Sequence, residues 1–370
     1  MNCPLVTIGV PVYRGRDDLP VTLECLRTQT HPNLDILISV DNGDQDSAQA
    51  CQPFLRRDAR FRMQVQPKRL GWAGNTDWTM RHRRGEFYIY QQHDDQVSPS
   101  YVADLVEAAR RMPDASICFA KMQFSGLRTM VQRGIELTGP PIERALGYLK
   151  SLEHVPLRGL IRGSALASTS GLLLSDVDPF DSFDTENRLL AELALLGEFR
   201  FVPGPTYFKR MHGGNLHLKR ENWSEGQKQQ GWACLAAWMA EVIAPAGGGF
   251  DERRRLFDTV LLRFLVAGDR RRWLARVARQ LVWTRSHLMH PIRVALDRLR
   301  SYELIAQSVE GQWTFYHPAT AEQRGELLRI IFDQLKMSGR LQPSVCFGLS
   351  WETLEEEARL RFCNSETFAH

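Results

Sequence analysis

Phe87-Tyr88-Ile89-Tyr90-Gln91-Gln92-His93-Asp94-Asp95 is the stretch on which the reading of this chain turns. Its first four residues are aromatic or β-branched, the pattern of a buried strand, and two adjacent carboxylates follow closely. Ser98 and Pro99 then open a helical pattern carried by Val102, Leu105, Val106 and Ala109. In an open α/β sheet, ligands gather outside the carboxyl ends of the strands. Two acids in that position repel each other and lose hydration, so they need a cation or a strong donor. A hard divalent ion holding a phosphorylated substrate is the simplest answer. The bland alternative is a solvated acidic turn.

Outward from this stretch, residues 5–12, Leu34–Val40, Phe61–Val65 and 116–120 read as further strands. Helical spacing such as Leu19, Leu23 and Leu26 fills the intervals. Strand-helix alternation of this length predicts a mostly parallel sheet with helices on both faces. Residues 123–163 follow no clear period. Asp184 or Thr185 caps a helix striped by Leu189, Leu190, Leu193 and Leu196 and stopped by Gly197. Segments 199–202 and 206–209 flank Pro203-Gly204 and read as a short hairpin. Beyond about residue 218 helical periodicity takes over, through 232–243, 255–266, 273–282 and 322–335. The expected organisation is an α/β domain over 1–217 followed by a helical C-terminal region over 218–370.

A chain of 370 residues, 43% hydrophobic and 24% charged, can bury a large core. It holds no apolar run near the roughly 18 residues that span a bilayer. Met1-Asn2-Cys3-Pro4 lacks a signal pattern, so a cytoplasmic location is expected. The seven cysteines are odd in number and form no close pair suited to zinc or redox work. Charge is unevenly placed: residues 251–300 hold thirteen Arg and five acids, net +8, against +4 for the whole chain. Arg272, Arg276 and Arg279 share a helical face opposite Leu274, Val277, Ala278 and Leu281. That face is a solvated one or a peripheral contact with an anionic membrane. The basic residues are confined and no aromatic-basic platform recurs, which disfavours nucleic acid.

Other features fall into line with the acidic pair. Pro11-Val12-Tyr13 closes the first strand and Asp41-Asn42-Gly43-Asp44 follows the second. Leu70-Gly71-Trp72-Ala73-Gly74-Asn75 is a glycine-bearing loop entering a helix, where backbone donors can approach a phosphate or ribose. It is neither a G-x-G-x-x-G fingerprint nor a P-loop. Downstream, Asp184-Thr185-Glu186-Asn187 opens the striped helix, and Lys209-Arg210-Met211-His212-Gly213-Gly214-Asn215 follows the expected hairpin. A histidine between an arginine and two glycines suits a metal ligand or phosphate contact, although a lone histidine is more often a satisfied surface residue.

The order V-P-V-Y, D-N-G-D, L-G-W-A-G-N, H-D-D, T-E-N, K-R-M-H over about residues 5–217 resembles the family 2 glycosyltransferases. The resemblance implies a GT-A-like nucleotide-sugar-binding domain and an inverting transferase. It implies that Pro11, Tyr13 and Asp41 hold the base and ribose, with Gly71 and Asn75 near the nucleotide. Asp94 and Asp95 match the D-x-D region: one serves the ribose side and the metal, the other chelates Mn²⁺ or Mg²⁺. His212 matches a further metal or diphosphate ligand, Arg210 a diphosphate partner, and Glu186 the catalytic base. Departures are Gln92 for the first acid of D-x-D, Asn42 for a second acid, Glu186 for the commoner Asp, and Thr185 for a neighbouring acid. Asp181 and Asp184 are fallback bases. The implied partners are a nucleotide-sugar donor, UDP-linked in most of the family, and a glycan, lipid-linked or peptide acceptor. Two rivals are a catalytically silent scaffold and a sugar-nucleotide nucleotidyltransferase. The latter would want a glycine-rich basic loop, and Arg14-Gly15-Arg16 supplies one glycine and two arginines.

Overall fold

The computed structural model describes residues 3–127, 129–172, 184–213, 223–266, 316, 318 and 320–363. The chain forms two compact units: Met1–Arg144 with Glu153–Asn222, and Ala145–Leu152 with Trp223–His370. A single cut at 217/218 therefore misses one feature, since residues 145–152 group with the C-terminal helices.

In the first unit the chain runs β1 (Val6–Val12), α1 (Leu19–Arg27), β2 (Leu34–Val40), α2 (Gln45–Arg57), β3 (Phe61–Val65), α3 (Gly71–Arg81) and β4 (Phe87–Tyr90). Then come β5 (Gln96–Val97), α4 (Tyr101–Arg111), β6 (Ala115–Gly126), β7 (Met130–Gln132) and α5 (Pro141–Ser151), whose residues from 145 on belong to the second unit. A 3₁₀ turn (Val155–Arg158), β8 (Leu160–Arg162), α6 (Gly163–Ala167), α7 (Thr185–Leu196) and β9 (Glu198–Met211) complete it. One sheet is ordered β3-β2-β1-β4-β8-β6-β9-β5, with β7 paired to β6. It is parallel from β3 through β4, and β6 and β9 are also parallel. β8 joins the two parallel groups through antiparallel pairings, so the sheet is mixed.

Every residue of β1, β2 and β4 is buried, as interior strands of a helix-covered sheet require. Their polar members are paired. Thr7 Oγ1 donates to Asp35 Oδ2 at 2.7 Å, and Arg62 Nε donates to Asp35 Oδ1 at 2.5 Å. Burial raises the Asp35 carboxyl, but these hydrogen bonds outweigh it and hold the group below its usual value. Gly9 lets α3 lie close on β1: a Cβ there would press on the Tyr88 hydroxyl and lie 2.5 Å from Thr79 Oγ1. Gly9→Ala should therefore destabilise the domain by about 1–3 kcal/mol, the range for overpacking a tight core, read as a lower urea midpoint at unchanged slope.

The expected hairpin at Pro203-Gly204 is not formed. β9 is a single strand that pairs with β6 throughout, from Ala115↔Glu198 to Gly126↔Met211. Between Phe119↔Phe201 and Lys121↔Thr206 the partner advances two residues while β9 advances five. Pro203 and Gly204, the latter at φ +109, bulge out without reversing the chain. The irregular stretch 123–163 resolves into the end of β6 and the short elements β7, α5, the 3₁₀ turn and β8. The striped helix is α7, with Gly197 as its C-cap.

The second unit holds helices Glu225–Ile243, Phe250–Leu265, Ala321–Ser338, Pro343–Phe347 and Trp351–Phe362. Its core is aromatic: Trp232 is fully buried, donates Nε1 to Phe264 O at 3.1 Å, and packs on the Phe264 ring. Ser224 with Gln227, and Thr320 with Gln323, form capping boxes that set two helix starts. None of the described helices is long and apolar enough to cross a membrane. The expected helix at 273–282, the Arg272/Arg276/Arg279 face and the fallback Asp181 lie outside the described residues.

Candidate functional site

The parallel register sets Val12 beside Val40 and Gly9 beside Tyr90, so β1, β2 and β4 end along one edge of the sheet. Pro11 is buried in β1, and Tyr13 follows at half exposure. Arg69 lies over the Tyr13 ring, its guanidinium carbon 3.4 Å from the ring centre, and reaches Asp41 Oδ2 at 3.0 Å. Asp41 is buried and also accepts from the backbone amides of Asn42, Leu70 and Gly71 at 2.9, 2.8 and 3.0 Å. It thus fastens the glycine loop. Gly71 opens α3 at φ +70, a left-handed conformation that glycine adopts without steric cost.

Asn75 was expected beside the nucleotide, but its side chain is only 2% exposed with its groups used internally. Its Oδ1 accepts from Ser39 Oγ at 2.5 Å, and its Nδ2 donates to Ser39 O at 3.0 Å. A buried amide so engaged braces α3 against β2.

The acidic pair divides in two. Asp94 Oδ2 meets His212 Nε2 at 2.8 Å, joining the segment after β4 to the residue just past β9. Burial raises the Asp94 carboxyl, yet His93, His212 and Lys209 hold it below its ordinary value. Asp95 faces inward. Its Oδ1 accepts from the Arg210 amide and its Oδ2 from the Tyr207 hydroxyl, both at 2.9 Å, with Lys209 Nζ at 3.6 Å from Oδ2. Burial pushes this carboxyl up, only partly offset by Lys209. Both oxygens tie Asp95 to β9. Beside it Asp94 and His212 bring a hard-oxygen and an imidazole donor together.

Arg210 points away from this pair and forms an ion pair with Asp18, just before α1. Sequence reasoning missed Lys209, whose Nζ donates to Gln92 Oε1 at 2.6 Å. The glutamine that replaces an acid thus still receives a cation. Arg158 was missed as well. Its guanidinium carbon lies 4.5 Å from the Tyr90 ring centre and 5.9 Å from that of Tyr207. Burial lowers its proton affinity, but Tyr90, Tyr207, Asp95 and Glu186 raise it above its ordinary value, so it is a fixed cation.

Glu186 sits in the first turn of α7, 9% exposed. Its Oε1 is 3.7 Å from His154 Nδ1, and its buried Oε2 has no hydrogen-bond partner. His154 Nε2 is 3.1 Å from Asn187 Oδ1, which holds the ring. His154, Asp184 and Glu186 each offer a ligand atom within 4.8 Å of the others.

A sheet edge carrying a glycine loop, an acid-histidine pair and a second, separate carboxylate defines a GT-A-like α/β domain. Residues 7–164 match the model of the family described as Glycosyl transferase family 2. EpsH of Bacillus subtilis (strain 168), assigned to the glycosyltransferases, is 27% identical over 161 residues, covering 43% of this chain and 46% of EpsH. EpsJ of the same organism, an uncharacterized glycosyltransferase, is 30% identical over 150 residues, covering 39% of this chain and 43% of EpsJ. The chain spans under half the length of these curated relatives. Among solved structures, S. aureus TarS 1-349 in complex with UDP-GlcNAc is similar in fold, with TM-score 0.50 and 14% identity over 72% of this chain and 82% of that one.

Proposed function

We propose that this chain is an inverting, metal-dependent glycosyltransferase that moves a sugar from a nucleoside-diphosphate donor to a hydroxyl acceptor. The observation that carries this reading is the 2.8 Å meeting of Asp94 and His212 at the edge where β1, β2 and β4 end. Tyr13 and the Asp41-fastened loop at Gly71 flank the same edge and would receive the base and ribose. Asp94 and His212 would hold a divalent ion, whose positive charge would stabilise the departing diphosphate. Glu186 takes the acceptor's proton as its oxygen attacks the anomeric carbon. One displacement inverts the centre and needs no covalent sugar-enzyme intermediate.

The donor we favour is a UDP-sugar. Its support is the shared fold with TarS, which was crystallised with UDP-GlcNAc. The acceptor class is a glycan, a lipid-linked glycan or a peptide. Catalysis on this reading takes place in the cytoplasm, where the Arg-rich stretch 251–300 would make peripheral membrane contact. A nucleotidyltransferase is less well supported, because the amides of its would-be triphosphate loop are in use. Arg14 N donates to Asp44 Oδ2 at 2.6 Å and Gly15 N to Ser47 Oγ at 2.9 Å.

Thermal-shift titration with UDP and UDP-sugars, with and without Mn²⁺, tests the proposal. Ligand at a hundred times its Kd should stabilise the fold by about 2.7 kcal/mol, and Mn²⁺ should lower the UDP concentration required. No stabilisation by any nucleotide would sink it.

A further inference from the structure

Arg158 is 8% exposed, yet its Nε and Nη1 find no hydrogen-bond acceptor among the described residues. A buried guanidinium with unfilled N–H groups is costly unless a ligand completes it. None of the neighbours does so. Asp95 accepts from Tyr207 and Arg210, the Tyr90 hydroxyl accepts from Trp72 Nε1 at 2.8 Å, and Glu186 Oε1 faces His154 while its Oε2 makes no hydrogen bond to the guanidinium. The same neighbours locate the cation: it stacks on Tyr90, the last residue of β4, and feels the charges of Asp95 and Glu186.

In the reaction proposed above, the transferred sugar must lie between the diphosphate at Asp94 and the base Glu186. Arg158 stacks on Tyr90 and feels the charges of Asp95, next to Asp94, and of Glu186, which places it to border that space. We propose that Arg158 binds the transferred sugar of the donor, its N–H groups donating to oxygen substituents of that ring, and so selects among donors. The inference rests on the glycosyltransferase reading and assigns this residue to the sugar, not to the nucleotide. A guanidinium suits this role because its donors are fixed in a plane and it has no acceptor of its own.

The test compares wild type with Arg158→Lys, which keeps a cation near Asp95 and Glu186, and Arg158→Met, which keeps only the stem. Calorimetry with Mn²⁺ measures Kd for UDP and for UDP-glucose, UDP-galactose, UDP-GlcNAc and UDP-glucuronate. In wild type one sugar should bind more tightly than UDP. Both variants should keep UDP affinity within about twofold, while that sugar's advantage falls by about tenfold or more, the loss expected for a hydrogen bond from a charged donor. The Lys variant, with the charge but not the planar donors, should lie between wild type and Met. UDP and sugar-nucleotide affinities falling together in the Lys variant would show a purely structural residue and overturn the proposal. So would an unchanged sugar advantage, or a wild type for which no sugar adds to UDP. Wild type that binds no UDP at all would instead bring down the glycosyltransferase reading, and this one with it.

Discussion

Asp94→Ala should lower Mn²⁺-supported kcat/KM by about a thousandfold or more, with little change in thermal stability. The size follows from what the carboxylate does in the proposed reaction. Negative charge develops on the departing diphosphate, and losing one preorganised stabiliser of such charge commonly costs about 10²–10³ in rate. Removing a ligand also weakens occupancy of the ion, which adds to that loss. Stability should hold because Asp94 spans no strands; its hydrogen bond runs to His212, at the described end of that segment. The decisive measurement is UDP affinity as a function of Mn²⁺. Wild type should bind UDP more tightly as the ion is added, and the variant should lose that dependence while retaining metal-free binding. A variant whose UDP affinity still responds fully to Mn²⁺ would move the ion elsewhere, with His154, Asp184 and Glu186 as the other described group able to offer ligand atoms.

Much of the fold was legible because interior parallel strands write themselves as unbroken apolar runs. β2 and β4 stand where their runs of Leu, Ile, Phe and Tyr ended at turn residues, while β3, at the end of the sheet order, alternates Phe61, Met63 and Val65 with Arg62 and Gln64. α7 kept its leucine stripe and glycine stop. Pro203-Gly204 misled for a physical reason: a turn dipeptide also serves a bulge, and only the partner strand decides which forms. Since β6 supplies hydrogen bonds on both sides of the interruption, β9 continues. Elements of three residues, such as β7 and β8, are too short to show a period.

The candidate site shows the same division. Asp94 and His212 were readable because each sits in a motif, although 118 residues separate them. The split of the acidic pair was not readable, since adjacent strand-end residues face opposite ways and sequence does not say which faces inward. Asn75 looked like a ligand contact at a loop-helix junction, but Ser39 on the neighbouring strand claims it. Arg158 offered one faint signal, a lone arginine among Val155, Pro156, Leu157, Gly159, Leu160 and Ile161. A charge in so apolar a run is either a misplaced surface residue or a buried functional one, and its neighbours in space decide between them.

Glu186→Gln should reduce turnover by about 10²–10⁴-fold, the range for losing a positioned general base, while UDP affinity stays within about twofold. The substitution keeps size and shape, so α7 should start as before. What disappears is the basic oxygen, and Oε2 is the one that no group among the described residues engages. Glu186 lies in the first turn of α7, and His154 stands 3.7 Å from the other oxygen. Asp184 precedes it in a left-handed conformation at φ 51, only 1% exposed, and presents a shorter side chain from the cap position. If Asp184 were the base, Asp184→Asn would carry the large kinetic loss and Glu186→Gln would not. If the chain were a silent scaffold, neither variant would alter its cellular role, because shape and nucleotide binding survive in both. A kcat loss confined to Glu186→Gln, at unchanged UDP affinity and unchanged Mn²⁺ dependence, is the pattern expected of a proton-accepting carboxylate at this position.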